Sequence, residues 1–323
     1  MPHNVTRNPN VSFPQNHQHK SLSSYSALLA VQLMFGSLPV IAKVVLPVIP
    51  AVSLVGSRVS IAASVLFAIQ FFRSRIWLQE RGDYLKFAVL SLFGVTLNQM
   101  LFIGGLSLTK ASNTSLLAVT IPIFTLIASV IIGNEKLRAI KVVGILLAAI
   151  GVLILIDPRN ASFSASTTRG DLMIVGNSLC FGIYVATAKA TITRNGAFRS
   201  MMWVFIFASI ICVPVGAYYL SGIEIASVPT SVWLLVGYIA IGATAVPYLL
   251  NAFAQSRVSP TVVAVFIYLQ PLIGFTLAAL FLGEKLDVKF AIAAILVFAG
   301  LYFTTRKQYD VATLERSGIT NSE

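Results

Sequence analysis

Ten stretches of about twenty apolar residues follow one another along this chain, at roughly 25–47, 52–72, 84–106, 111–133, 139–157, 170–191, 199–220, 229–250, 260–282 and 287–305. The hydrocarbon core of a bilayer is about 30 Å thick, and a helix needs about 20 apolar residues to cross it. None of the ten shows a polar face, so each is expected to be surrounded by protein or lipid on all sides. Helices satisfy every backbone hydrogen bond internally, which lipid demands, and no alternating barrel-strand pattern is present. The expected fold is an all-α membrane protein of ten transmembrane helices. Charged residues make up 11% of the 323 positions, against about 25% in soluble domains.

The net charge of +12 does not point to nucleic acid, because the basic residues are spread over short loops instead of forming one patch. With the N-terminus placed in the cytoplasm, fifteen Lys and Arg fall in inside segments (Arg73, Arg75, Lys136, Arg194 and Arg257 among them) and five in outside loops. That asymmetry follows the positive-inside rule and puts both termini in the cytoplasm of a multi-pass cell (inner) membrane protein. The polar segment 1–24 lacks a leader-like pattern and is expected to be a disordered cytoplasmic tail, as is 306–323. Cys180 and Cys212 both fall inside spans, where a structural disulfide is not expected.

The chain also repeats itself. "VIIGNEKLRAIKVVGILLAAIGV" and "ALFLGEKLDVKFAIAAILVFAGL" align Glu135 with Glu284, Pro122 with Pro271 and Gly151 with Gly300, at an offset of 149. At an offset of 146, Phe35, Gly36, Ala42 and Lys43 meet Phe181, Gly182, Ala188 and Lys189. Two five-helix repeats are therefore expected at 25–157 and 170–305, joined by an extracytoplasmic linker at 158–169. Five is odd, so the second repeat enters the membrane upside down relative to the first, as in many secondary transporters. Each Glu-Lys step falls where the chain turns between the last two helices of a repeat. There Gly133 or Gly283 ends one helix, and the carboxylate favours the start of the next.

The segments "FGSLPVIAK" (35–43) and "FGIYVATAK" (181–189), Arg58 in "GSRVSIAA", and the two endings "P…GNEKL…G" and "P…GEKL…G" together resemble the EamA type of the drug/metabolite transporter superfamily. The resemblance covers about 25–305. It implies ten helices, a central cavity built by both repeats, and movement of small metabolites, often export of amino acids or related compounds. No arginine matching Arg58 stands around Met201 to Val204, which implies a cavity charged asymmetrically.

Three basic residues lie within spans: Lys43, Arg58 and Lys189. A charge at the bilayer centre costs at least about 2.5–3.5 kcal/mol. The two lysines lie near helix ends and can snorkel to the headgroups. Arg58 is about two turns deep and is the stronger candidate for a substrate pathway. Uncharged candidates are Asn98, Gln99, Asn113, Tyr184, Tyr248, Tyr268 and Gln270, with interhelical hydrogen bonding as the simpler role for most. Pro122 and Pro271 are expected to kink their helices. No Asp or Glu lies deep in a span, and His3, His17 and His19 are all in the N-terminal tail, so no carboxylate or histidine proton relay is expected. The same absence leaves a metal enzyme without ligands, and no cofactor motif is present. The expected function is a secondary transporter exporting small organic metabolites such as amino acids. A multidrug efflux carrier and a passive channel stand as alternatives. The expected partners are a small-molecule substrate and the lipid bilayer; small residues such as Gly144 and Ala148 permit close helix packing, either within one chain or in a homodimer.

Overall fold

The computed structural model describes residues 15–156, 166–282 and 288–306, with side chains from Leu22 onward except at 111–112 and 277–282. Most of the linker, the Glu284-Lys285 step, the tail beyond 306, the first fourteen residues and all three histidine side chains lie outside the described residues.

The described chain is helical and falls into rods α1 (Gln15–Val45), α2 (Ala51–Phe72), α3 (Gly82–Leu108), α4 (Ala111–Leu117 and Thr120–Ile131), α5 (Ala139–Ile156), α6 (Thr168–Asn195), α7 (Ala197–Leu220), α8 (Thr230–Gln255), α9 (Pro260–Val265, a 3₁₀ turn at Phe266–Tyr268, then Leu269–Leu282) and α10 (Val288–Thr305). Among the described residues nine helices are long and apolar enough to cross a membrane. The apolar part of α9, Pro260–Thr276, is shorter. Large apolar side chains such as Val40, Ile131, Ile210, Leu234 and Ile295 cover the outward faces, which is the surface that lipid demands of a spanning protein.

Local chemistry sets the element boundaries. Pro50, Pro229 and Pro260 stand at or just before helix starts, where proline's missing N–H costs nothing. Gly196 turns the chain between α6 and α7 at φ +79°, a conformation open to residues without a Cβ.

The helices pair across the two halves. α2 packs along α7 and α5 along α10; α1 lies against α8 and α9, and α6 against α3 and α4. The α2–α7 crossing is tight: a Cβ on Gly56 would come 2.7 Å from Cys212 O, and one on Gly216 would come 2.8 Å from Gly56 Cα. In the same manner Gly144 and Ala148 face Gly300 of α10. This small-residue face is consumed within one chain, so it is not free to join two copies.

Two irregularities recur at the repeat offset of 149. α3 carries a π-helical segment at Leu92–Thr96 and α8 one at Ile241–Ala245. α4 is interrupted at 118–119 and α9 at Phe266–Tyr268. Each interruption lies just before its proline. Pro122 offers no N–H to the carbonyl of Ala118, and Pro271 none to that of Ile267, so the helical ladder opens there.

Candidate functional site

Helices α1, α2, α3, α4, α6, α8 and α9 line a central cavity of about 780 Å³ including its open side. Its lining comes from both halves at matched positions. Phe35 and Phe181 face it at an offset of 146. Gln99 and Tyr248, Phe102 and Asn251, Ala118 and Ile267, and Ile121 and Gln270 face it at 149. Matched positions of the two halves thus line one cavity, while their side chains differ in polarity.

Arg58 is the charged residue of this lining. It is 2% exposed. Its Nε donates to Thr244 Oγ1 at 2.8 Å and its Nη2 to the carbonyl of Ala243 at 3.0 Å. Both acceptors belong to the π-helical segment of α8. A π turn displaces the regular ladder and leaves backbone acceptors free for side chains, and such turns favour functional sites. The matched segment of α3 behaves alike. Gly94 stands 149 residues before Ala243, and its carbonyl lies 2.9 Å from the Tyr248 hydroxyl. That hydroxyl also lies 3.1 Å from Asn98 Oδ1, and its one proton serves either acceptor in turn.

No carboxylate lines the cavity, and Arg58 makes no ion pair among the described residues. A buried charge without a counter-ion is costly. Gln99 is 2% exposed, and its amide lies against the Tyr248 hydroxyl without a well-formed hydrogen bond at either its nitrogen or its oxygen. Leaving such groups unsatisfied costs about 1–3 kcal/mol each. Asn177 donates to the carbonyl of Asn98 at 2.8 Å, and Gln270 donates to Gln32 Oε1 at 2.8 Å. The cavity therefore offers one cation, open amides and aromatic walls, which is a set suited to an anionic or zwitterionic organic molecule.

Of the residues singled out from sequence, Arg58, Asn98, Gln99, Tyr248 and Gln270 converge on this cavity. Lys43, Asn113, Tyr184, Lys189 and Tyr268 do not line it. Lys43 donates to the carbonyl of Thr109 at 2.8 Å. Close by, Thr109 and Asn113 donate to Asp171 Oδ1 at 2.6 and 3.1 Å. Lys189 is partly buried at the other end of α6, near Glu135 and Lys141. Tyr184 packs its ring on Gly94, and the Tyr268 hydroxyl donates to the carbonyl of Val119 at 2.9 Å.

Several contacts had no clear sequence signal. Gln32 is one, three residues before the Phe35 motif. The Glu135 carboxylate does not cap its own turn. It accepts the Thr261 N–H at 2.8 Å, at the start of α9 in the other half, and pairs with Lys141. Asp83 is fully buried, accepting from Arg194 Nε at 2.9 Å and from Asn195 Nδ2 at 2.7 Å. Opposite charges at the start of α3 and the end of α6 were the available clue, once the two helices were known to run side by side.

Known proteins agree with this architecture. A solved crystal structure covering 90% of this chain, and 98% of its own, superposes with a TM-score of 0.70 at 19% identity, a likeness of fold. An uncharacterized transporter of Archaeoglobus fulgidus is 26% identical over 78% of this chain and 86% of its own length. The uncharacterized transporter YetK of Bacillus subtilis is 24% identical over 90% and 88%, and a WAT1-related protein of Arabidopsis thaliana is 25% identical over 76% and 74%. Residues 22–157 and 168–306 each match the EamA-like transporter family. Two consecutive matches that between them take in every lining residue of the cavity leave one assignment: the chain belongs to the EamA-like transporter family and is a multi-pass membrane transporter.

Proposed function

We propose that this transporter carries small organic anions or zwitterions, with amino acids the leading class, through the central cavity by alternating access. The observation that carries the proposal is Arg58, which is buried in the cavity wall with the Thr244 hydroxyl and the Ala243 carbonyl as partners and, among the described residues, no carboxylate. A substrate carboxylate would complete its coordination with a charge-assisted hydrogen bond. The open amide of Gln99 would take a second polar group of the substrate. The duplicated frame, with lining residues drawn in pairs from both halves, supports rocking of one half against the other around this site. The loop charges support a cytoplasmic location for both termini, and the family resemblance supports outward movement.

Flux measured in liposomes tests the proposal. Purified protein is reconstituted with labelled amino acids, organic acids and cationic amphiphiles inside, and release is followed with and without unlabelled substrate outside. Exchange-stimulated release of a carboxylated metabolite is expected. Release of amphiphilic cations with no carboxylate movement contradicts the proposal.

A further inference from the structure

A second cavity lies between α1, α4, α5 and α9 and shares Ala118, Ile267 and Gln270 with the central one. It is a groove of about 1150 Å³ including its open side. Gly36, Pro39, Val152 and Pro271 line it. Val40, 69% exposed, and Phe275, 40% exposed, stand on the outward surface at its edge. Most of its polar groups are committed. The Tyr268 hydroxyl is held by Val119 O and the Gln270 amide by Gln32, and Ser115 adds one hydroxyl. The junction between the two cavities is the place where α4 and α9 both break.

We propose that this groove is a binding site for the hydrocarbon tail of an amphipathic carboxylate whose head occupies the central cavity. It rests on the anionic-substrate proposal above and narrows it. The groove offers little to a polar ligand, because its walls are mostly apolar and the Tyr268 hydroxyl and the Gln270 amide nitrogen already have partners. It opens among the apolar spans, where the surroundings are hydrocarbon. It shares the residues Ala118, Ile267 and Gln270 with the cavity that holds the guanidinium, so a head in that cavity and a tail in this groove would meet at that junction. Gly274 sits in the wall, and a Cβ there would meet nothing within 4 Å. A larger side chain would project into the groove without displacing a neighbour, and replacing a helical glycine favours the helix.

The test is thermal unfolding of the purified protein against acetate, butanoate, hexanoate and octanoate, in the wild type, Gly274→Leu and Arg58→Gln. Complete burial of a methylene strengthens binding about fourfold, and an open groove that buries half of it about twofold. Six methylenes separate acetate from octanoate, so the half-saturating concentration is expected to fall about 60-fold in the wild type. Gly274→Leu should flatten this dependence and keep the short-chain response. Micelle partitioning of octanoate is common to both proteins and cancels in the comparison. The proposal is overturned if Gly274→Leu shows the wild-type dependence, as it would were the groove filled by a bilayer lipid, or if the wild type shows none. If Arg58→Gln keeps the short-chain response while Gly274→Leu removes the chain-length dependence, the anionic-substrate proposal fails and the tail site stands.

Discussion

Glu135→Gln tests whether the contact between the α4–α5 turn and the start of α9 holds the two halves together. The side chain is 4% exposed, and its partner Lys141 is 19% exposed. Glutamine keeps the shape and an acceptor for the Thr261 N–H, and removes the charge. A hydrogen bond to a charged group contributes about 1.5–3 kcal/mol and a neutral one about 1 kcal/mol, so the cap weakens by about 0.5–2 kcal/mol. Losing the partner of a fully buried ion costs about 3–5 kcal/mol. Lys141 can turn its ammonium toward water, which brings its share down to about 1 kcal/mol. The expected loss is therefore about 1.5–3 kcal/mol. Lys141→Met should cost at least as much, because it leaves a buried carboxylate without its cation. The double variant should recover part of the sum, with a coupling energy of about 1 kcal/mol or more. Reversible unfolding in mixed detergent micelles, followed by tryptophan fluorescence, completes the cycle. Losses that add to within about 0.5 kcal/mol would show that the pair carries no coupling, and a loss below about 0.5 kcal/mol for Glu135→Gln alone would show that its bond to the Thr261 N–H does not clamp the halves.

Other substitutions follow from the same geometry. Gly216→Val forces a side chain onto the backbone of α2 at Gly56, and should destabilise the fold by about 1–3 kcal/mol in the same unfolding assay. Tyr248→Phe removes the hydroxyl near Gly94 O and Asn98 Oδ1. It should cost about 0.5–1.5 kcal/mol of stability, with a change in substrate affinity read by binding titration. Asp83→Leu leaves Arg194 without its buried partner at the α3–α6 end. Arg194 is part-exposed and keeps Glu80, so the loss is that of the Asp83 hydrogen bonds to Arg194 and Asn195 and should be about 1.5–3 kcal/mol in the same unfolding assay.

The long apolar blocks were legible because lipid imposes one length and one composition on a spanning helix. The offsets of 146 and 149 were legible because the matched positions are structural: Phe35 and Phe181 line one cavity, and Pro122 and Pro271 follow matched breaks. Arg58 stood out because a deep cation is costly enough to be rare. Lys43 and Lys189 share the repeat match and yet stay out of the cavity, since their positions near helix ends let them find other partners. Tyr268 was singled out for its closeness to Pro271. The 3₁₀ turn rotates it toward Val119 and leaves Gln270 on the cavity side. Glu135, Asp83 and Asp171 were illegible as partners because each meets groups more than fifty residues away. Only the pairing of helices across the two halves brings them together.

On the proposed function, Arg58 waits for a substrate anion. Binding of carboxylated metabolites to wild type and Arg58→Met, measured by thermal unfolding with and without ligand, decides it. A ligand at about 100 times its Kd stabilises the protein by about 2.7 kcal/mol. Relieving an unpaired buried charge offsets the loss of the bonds to Thr244 and Ala243, so the ligand-free variant should be as stable as the wild type. It should also bind carboxylates about tenfold to 150-fold more weakly, the worth of one charge-assisted hydrogen bond. A variant that is markedly less stable without ligand, yet binds carboxylates with wild-type affinity, would make Arg58 a structural strut and contradict the claim.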